Sequence, residues 1–126
     1  MPTRDEAVRL FEARRQTWLR EDVDAYLALW AEDMEFQSPV HAEPLRGRAA
    51  FGDLVRRSFA TARPARFDFT HIAVVGDVVL AEWSIAIDPR AGGERIEWWG
   101  MSVADVREGL IHRWREYWNP GDVMRA

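Results

Sequence analysis

Apolar residues recur at helical spacing in the first half of the chain and alternate in the second. From Asp5 to Arg20, Ala7, Val8, Leu10, Phe11 and Trp18 fall at that spacing, which predicts a first helix with Thr3 or Asp5 as cap and Glu6 in its first turn. Glu21-Asp22-Val23-Asp24 interrupts the pattern, and Asp22 or Asp24 can cap a second helix striped by Tyr26, Leu27, Leu29 and Trp30. These two helices are expected to pack as a hairpin. Met34 to Ser38 alternates like a short strand that stops at Pro39, with a loop through His41 and Pro44. Gly47 precedes a third helix, from about Arg48 to Ala62, which turns Phe51, Leu54, Val55 and Phe59 inward and ends before Pro64.

Beyond that proline the period changes. Ala65 to Val75 reads as a strand, Gly76-Asp77 as a two-residue turn, and Val78 to Asp88 as the hairpin partner. Pro89 to Gly93 makes a longer turn before a strand from Glu94 to Val106. Arg107-Glu108-Gly109 then leads into the last strand, Leu110 to Trp118. Helices first and an antiparallel meander afterwards specify an α+β domain, with three N-terminal helices packed on one face of a curved antiparallel sheet. Such a sheet, folded over helices, leaves a cone-shaped pocket.

Composition narrows the possibilities. A chain of 126 residues is long enough for one substantial core and too short for two, so residues 1–126 are read as a single domain. At 48% hydrophobic and 30% charged residues it is not disordered. No apolar run approaches the ~20 residues of a membrane span. The N-terminus lacks the apolar segment of a signal peptide, so a cytoplasmic location is expected. Without cysteine, thiolate chemistry, disulfides and cysteine-held zinc drop out. The net charge is -4, and the 17 basic residues, all arginine, are dispersed, which argues against nucleic acid as a partner. His41, His71 and His112 have no short-range ligand spacing, and neither a phosphate loop nor a nucleophile elbow is present. No metal and no cofactor are therefore expected.

Seven tryptophans change the picture again, because an indole is costly to bury unless its N–H finds a partner. Several are expected to line a cavity. In the last strand, alternation sets His112, Trp114, Glu116 and Trp118 on one face. A carboxyl group between two indoles loses hydration, so its pKa should rise toward the range useful for moving protons at neutral pH. The opposite parity would turn Arg113 and Arg115 inward at high desolvation cost. Arg14 lies one helical turn from both Phe11 and Trp18. It can bind a substrate anion or pair with Glu116, or its stem can cover the core while its head stays in water.

On the neighbouring strands two arrangements are open. Alternation with Phe67 and Phe69 would turn His71 inward, with Glu82 and Ser84 joining the pocket. The other arrangement puts Trp83 inside and Glu82 on the outer face. His41 falls near the cavity mouth and His112 near the rim. Tyr26, Trp30, Phe51, Val55 and Phe59 suit a core, part of which must form the cavity wall.

Asp22-Val23-Asp24 opening the second helix and Leu45-Arg46-Gly47-Arg48 opening the third carry a resemblance to the nuclear transport factor 2-like superfamily. The segments Gly100-Met101-Ser102 and Arg115-Glu116-Tyr117-Trp118-Asn119-Pro120 resemble its SnoaL-like branch most. The likeness spans nearly the whole chain, and the fold hosts isomerases, dehydratases, cyclases, epoxide hydrolases and non-catalytic binders. Compared with ketosteroid isomerases, Ser38 stands at the base Asp, Ser102 at the oxyanion-holding Asp and Arg14 at the helix-one Tyr, so that mechanism is not expected. Compared with phenazine-biosynthesis A/B-type proteins, Glu116 matches the acid/base Glu, while Leu54 stands at their partner His. The pocket Asp of polyketide cyclase relatives has no clear match.

The expectation is a small-molecule enzyme whose Glu116 moves a proton in an isomerisation, cyclisation, dehydration or hydrolysis. Arg14 or Ser102 would hydrogen-bond a carbonyl or developing enolate. Trp18, Tyr26, Trp30, Phe59, Trp98, Trp114 and Trp118, with Ser38, His41, His71 and Glu82, would surround a hydrophobic substrate. The competing reading is a non-catalytic binding or dimerisation module. The resemblance also implies a homodimer formed through the outer sheet face.

Overall fold

The computed structural model describes residues 1–123. Helix α1 (Arg4–Leu19) starts with a capping box in which the Glu6 amide donates to Thr3 Oγ1 at 3.1 Å and the Thr3 amide donates to Glu6 Oε1 at 2.9 Å. Helix α2 (Val23–Leu27) is capped by Asp22, whose Oδ1 accepts from the Ala25 amide at 3.2 Å. It is shorter than its apolar stripe predicts. Trp30, expected on that helix, instead begins strand β1 (Trp30–Gln37). The cause is tertiary: Trp30 pairs with Ile111, and the Ile111 amide donates to the Leu29 carbonyl at 2.9 Å. A ladder to a distant strand thus overrides the local helical stripe.

A two-residue strand, β2 (Leu45–Arg46), precedes helix α3 (Arg48–Thr61). Strands β3 (Ala62–Val75), β4 (Val78–Pro89), β5 (Ile96–Arg107) and β6 (Leu110–Trp118) follow, and a short helix α4 (Pro120–Val123) closes the described chain. The β2 and α4 elements have no counterpart in the sequence expectation. Pro64, read there as a helix terminator, lies inside β3. That strand is the sheet edge, so the missing N–H costs no ladder bond.

The six strands form one curved, unclosed sheet in the order β2-β1-β6-β5-β4-β3. All neighbouring strands run antiparallel except β1 and β6, which are parallel. Its concave face packs on α1, α2 and α3 through a cluster that includes Phe11, Trp30, Phe51 and Trp114. Ring centroids are 4.5 Å apart for Trp30 and Phe51, and 5.5 Å apart for Phe11 and Trp114. Such tilted ring pairs add to their area burial.

Two bulges decide which side chains face that core. In β3, Phe69 pairs with Trp83 but His71 pairs with Glu82, so Thr70 is an extra residue and alternation inverts beyond it. In β6, Ile111 pairs with Val106 and Arg113 with Asp105, which leaves His112 as the inserted residue and Ile111 fully buried. His112 therefore does not share the regular alternation of Trp114, Glu116 and Trp118.

Gly100 on β5 fixes the position of an inward indole. A Cβ there would lie 2.5 Å from the Tyr117 carbonyl oxygen and 3.0 Å from Trp83 Cη2. Gly100→Ala should therefore cost about 1–3 kcal/mol through overpacking against backbone and ring. Urea denaturation with an unchanged m-value and a lower midpoint is the expected result, and an unchanged midpoint would contradict the packing described.

Candidate active site

Between the helices and the concave face of the sheet lies a cavity of about 230 Å³. Of the residues singled out by sequence, Arg14, Trp18, Tyr26, Phe59, Trp98 and Glu116 line it. Phe36, Phe67, Trp83, Ile85 and Ile87 add to the sheet side, with Phe51, Leu54 and Val55 of α3 opposite. The wall is apolar and aromatic, interrupted by few polar groups.

Glu116 is the carboxyl group of this wall. The Trp114 indole N–H donates to its Oε1 at 2.9 Å and the Trp118 indole N–H donates to its Oε2 at 2.6 Å. Residues i−2 and i+2 on one strand lie on the same side, so the local sequence Trp-Arg-Glu-Tyr-Trp builds the clamp without help from any other element. Burial raises the Glu116 carboxyl above the usual range. The Arg14 charge, the two indole bonds and His41 oppose that rise without cancelling it.

Arg14 is supplied by the buried face of α1 and is only 5% exposed. Its guanidinium carbon sits 4.1 Å from the Trp114 ring centroid, 5.2 Å from Phe67, 5.5 Å from Tyr26 and 6.0 Å from Trp30. Aromatic faces attract a cation, but they accept no strong hydrogen bond. Nε and Nη1 are buried without a partner, and among the described residues no carboxylate lies within ion-pair distance of Arg14. Neither sequence expectation, a head in water or a direct ion pair to Glu116, describes this position. Tyr26 and Ser58 add hydroxyl groups to the lining, and burial is the main cause that raises the Tyr26 pKa.

The remaining candidates take other places. Ser102 faces inward, fully buried, but its Oγ accepts from the Trp83 indole N–H at 2.7 Å and the residue does not line the cavity. Trp30 and Trp114 are fully enclosed in the core instead of standing at the wall. Ser38 is buried in the turn after β1, where its Oγ lies 2.6 Å from His41 Nδ1, and His41 stacks edge-on against Phe36 with centroids 5.7 Å apart. This pair stands behind the cavity lining. His71 and Glu82 are outside it: His71 Nδ1 and Glu82 Oε1 are 3.0 Å apart on the exposed outer face, where Thr70 also donates to Glu82 at 2.7 Å. The Thr70 bulge is what turns His71 away, and the inward place on β4 belongs to Trp83.

Sequence reasoning did not single out Phe67, Ile85 and Ile87 as wall residues. Their alternation on β3 and β4 was visible, but the two possible parities of β4 hid which set faced the helices. Among the described residues, no three His, Asp or Glu side chains come together to hold a metal, and no helix is long and apolar enough to cross a membrane.

The SnoaL-like domain matches residues 8–114, most of the chain. The chain belongs to this SnoaL-like family. Solved structures place the SnoaL-like protein among nuclear transport factor 2-like folds. An epoxide hydrolase of the LEH-like type from M. tuberculosis is 27% identical, with a TM-score of 0.83 over 98% of this chain and 90% of its own. A Bacillus subtilis protein provisionally described as an isomerase is 25% identical, with a TM-score of 0.89 over 100% and 95% of the two chains. A protein of Xanthomonas campestris pv. campestris, provisionally described as a polyketide cyclase, is 27% identical, with a TM-score of 0.79 over 97% and 96%. No curated protein matches the chain.

The raised Glu116 pKa makes a signed prediction for the SnoaL-like protein. Between the ordinary glutamate value and the raised one, the folded state binds more protons than the unfolded chain. The corresponding stability is therefore complete below the ordinary value and is lost as pH rises through the raised one. Glu116→Gln removes this dependence, while its loss of an indole bond is independent of pH. The melting temperature of the variant minus that of the parent should accordingly increase between about pH 4 and about pH 8. Thermal melts across that range check it, and a flat difference would mean that burial does not shift Glu116.

Proposed function

We propose that this protein is an acid/base enzyme whose Glu116 gives or takes a proton on a small, largely apolar metabolite held in the cavity, in an isomerase-, cyclase-, dehydratase- or hydrolase-type reaction. The observation that carries the reading is the geometry of Glu116: one carboxyl group of a mainly aromatic wall, oriented through both oxygens by Trp114 and Trp118. Two indole bonds hold a carboxylate in one orientation without donating a proton to it, so it remains free to exchange one with a ligand. Burial moves its pKa in the direction that makes a general acid/base more effective near neutral pH. Arg14 supplies fixed positive charge in the same wall, where negative charge developing on a substrate oxygen is stabilised more than it would be in water. The epoxide hydrolase, isomerase and cyclase descriptions of similar structures support an enzyme of this general kind.

For the simplest such step, a C–H bond next to a carbonyl breaks and its proton passes to a Glu116 oxygen. The electron pair moves onto the carbonyl oxygen as an enolate, and the proton returns to the same or another carbon. The test is hydrogen–deuterium exchange into small enolisable ring ketones in heavy water, followed by NMR. Glu116→Gln should lower the catalysed exchange by about a hundredfold or more, the usual contribution of a positioned acid/base. Exchange in the variant at the parent rate would overturn the assignment and favour the binding-module reading.

The homodimer is proposed on a separate observation. Trp99, Met101 and Tyr117 stand exposed side by side on the outer face of β5 and β6, and a second copy can cover them through a two-fold axis that places the same patch on both chains. Light scattering at micromolar concentration should give twice the chain mass, and Trp99→Glu should restore the monomer. A parent protein that scatters as a monomer would count against the dimer.

A further inference from the structure

The residues of the cavity wall carry an unbalanced supply of hydrogen-bond donors. Arg14 Nε and Nη1 are buried without an acceptor, and so is Nε1 of Trp98, which lines the same space. Of the guanidinium nitrogens, only Nη2 is not enclosed in this way, so it is the edge that can meet a ligand. The charged acceptor of the wall is Glu116, and both its oxygens already accept from Trp114 and Trp118. A guanidinium is charged at any pH a protein meets, and a cation taken out of water without a counter-ion is costly. Ring faces offset part of that cost. They offer no acceptor along the Nε–H and Nη1–H directions.

We propose that the substrate or ligand of this cavity is a small ring compound carrying one negative charge, a carboxylate or an equivalent anionic oxygen, which docks on Arg14 and supplies its missing counter-charge. Size agrees with the chemistry: a cavity of about 150 Å³ takes benzene, so about 230 Å³ admits one ring or two fused rings with a short acidic substituent. The charged and titratable groups that act on Glu116 are Arg14 from α1 and Tyr26 from α2 in the wall, and His41 from behind the lining in the turn after β1. An anion placed among them opposes ionisation of Glu116. Binding therefore carries a proton with it, and affinity increases as pH falls. The inference deepens the proposed function, on which its catalytic meaning rests: with an anion bound, Glu116 takes up a proton and begins the reaction as an acid, whereas beside a neutral ketone it begins as the base.

Three probes of one shape separate charge from shape, namely phenylacetate, phenylacetamide and 2-phenylethylamine, titrated calorimetrically into the full-length protein. Phenylacetate should bind at least about tenfold more tightly than the amide, the size of a charge-assisted hydrogen bond, and the amine should bind weakest. Repeating the phenylacetate titration at neutral pH in phosphate and in Tris should reveal proton uptake, which Glu116→Gln abolishes. Arg14→Met, of similar length and uncharged, should erase the preference for the acid over the amide. Equal affinity for acid and amide in the parent protein overturns the inference whether or not the variant folds, and so does a preference that survives Arg14→Met. These readouts need no turnover, so a lack of acid preference with Glu116-dependent exchange refutes the ligand class alone. Acid preference with Glu116-independent exchange refutes the catalytic role alone.

Discussion

Two ionisable side chains share one aromatic enclosure without touching, and this constraint organises the rest of the molecule. Arg14 is held by ring faces and Glu116 by ring N–H groups, and a single indole, Trp114, serves both: its face meets the guanidinium while its edge donates to the carboxyl group. That division follows from the charge distribution of an aromatic ring, negative over the face and positive at the edge. Keeping Trp114 in this double role requires it to be immobile. Phe11 and Trp30 pack against its ring, and Phe51 backs Trp30 in turn, so that the indole is fully buried.

The same enclosure explains why so much tryptophan serves a domain of this size. Trp83, Trp114 and Trp118 each find an acceptor on a neighbouring side chain, in Ser102 or Glu116. Indoles contribute large apolar area and usually take one polar partner when buried, which Trp30 lacks, and Ser102 and Glu116 are committed to orienting rings. Ser102 is an instance: a hydroxyl that could have met a substrate is bound to Trp83 behind the cavity lining. Gly100 completes the arrangement by omitting the Cβ that would collide with that ring. Arg14 Nε and Nη1 and Trp98 Nε1 are the cavity-wall donors left out of this economy.

Much of the fold was legible because periodicity changes cleanly at the end of α3. The helix over 48–61 and the hairpin turn at Gly76-Asp77 follow from spacing and turn chemistry alone. The parity of Glu116 was equally legible, since Arg113, Arg115 and Tyr117 on the other side are far cheaper to leave near water. Less could be read wherever an element answers to a distant partner. Trp30 continues a helical stripe by spacing, yet joins β1 because β6 offers it a ladder. The β2 strand is too short to have a pattern, and Pro64 carries a meaning that depends on whether its strand lies at the edge.

Sequence by itself determined the order of the longer elements, the α+β class and the side-by-side placing of Trp114, Glu116 and Trp118, all of which depend on patterns among residues close along the chain. Tertiary structure alone decided that Trp83 and not Glu82 faces the cavity, that His71 and His112 leave the inner alternation, and that Arg14 stands buried without an ion pair. In each case the outcome depends on partners distant along the chain. One extra residue at Thr70 or at His112 inverts or interrupts strand parity, and whether a bulge is tolerated depends on how the paired strands pack. The surroundings of Arg14 come from α1, α2, β1, β3 and β6 together, a set of neighbours that no local stretch of sequence specifies.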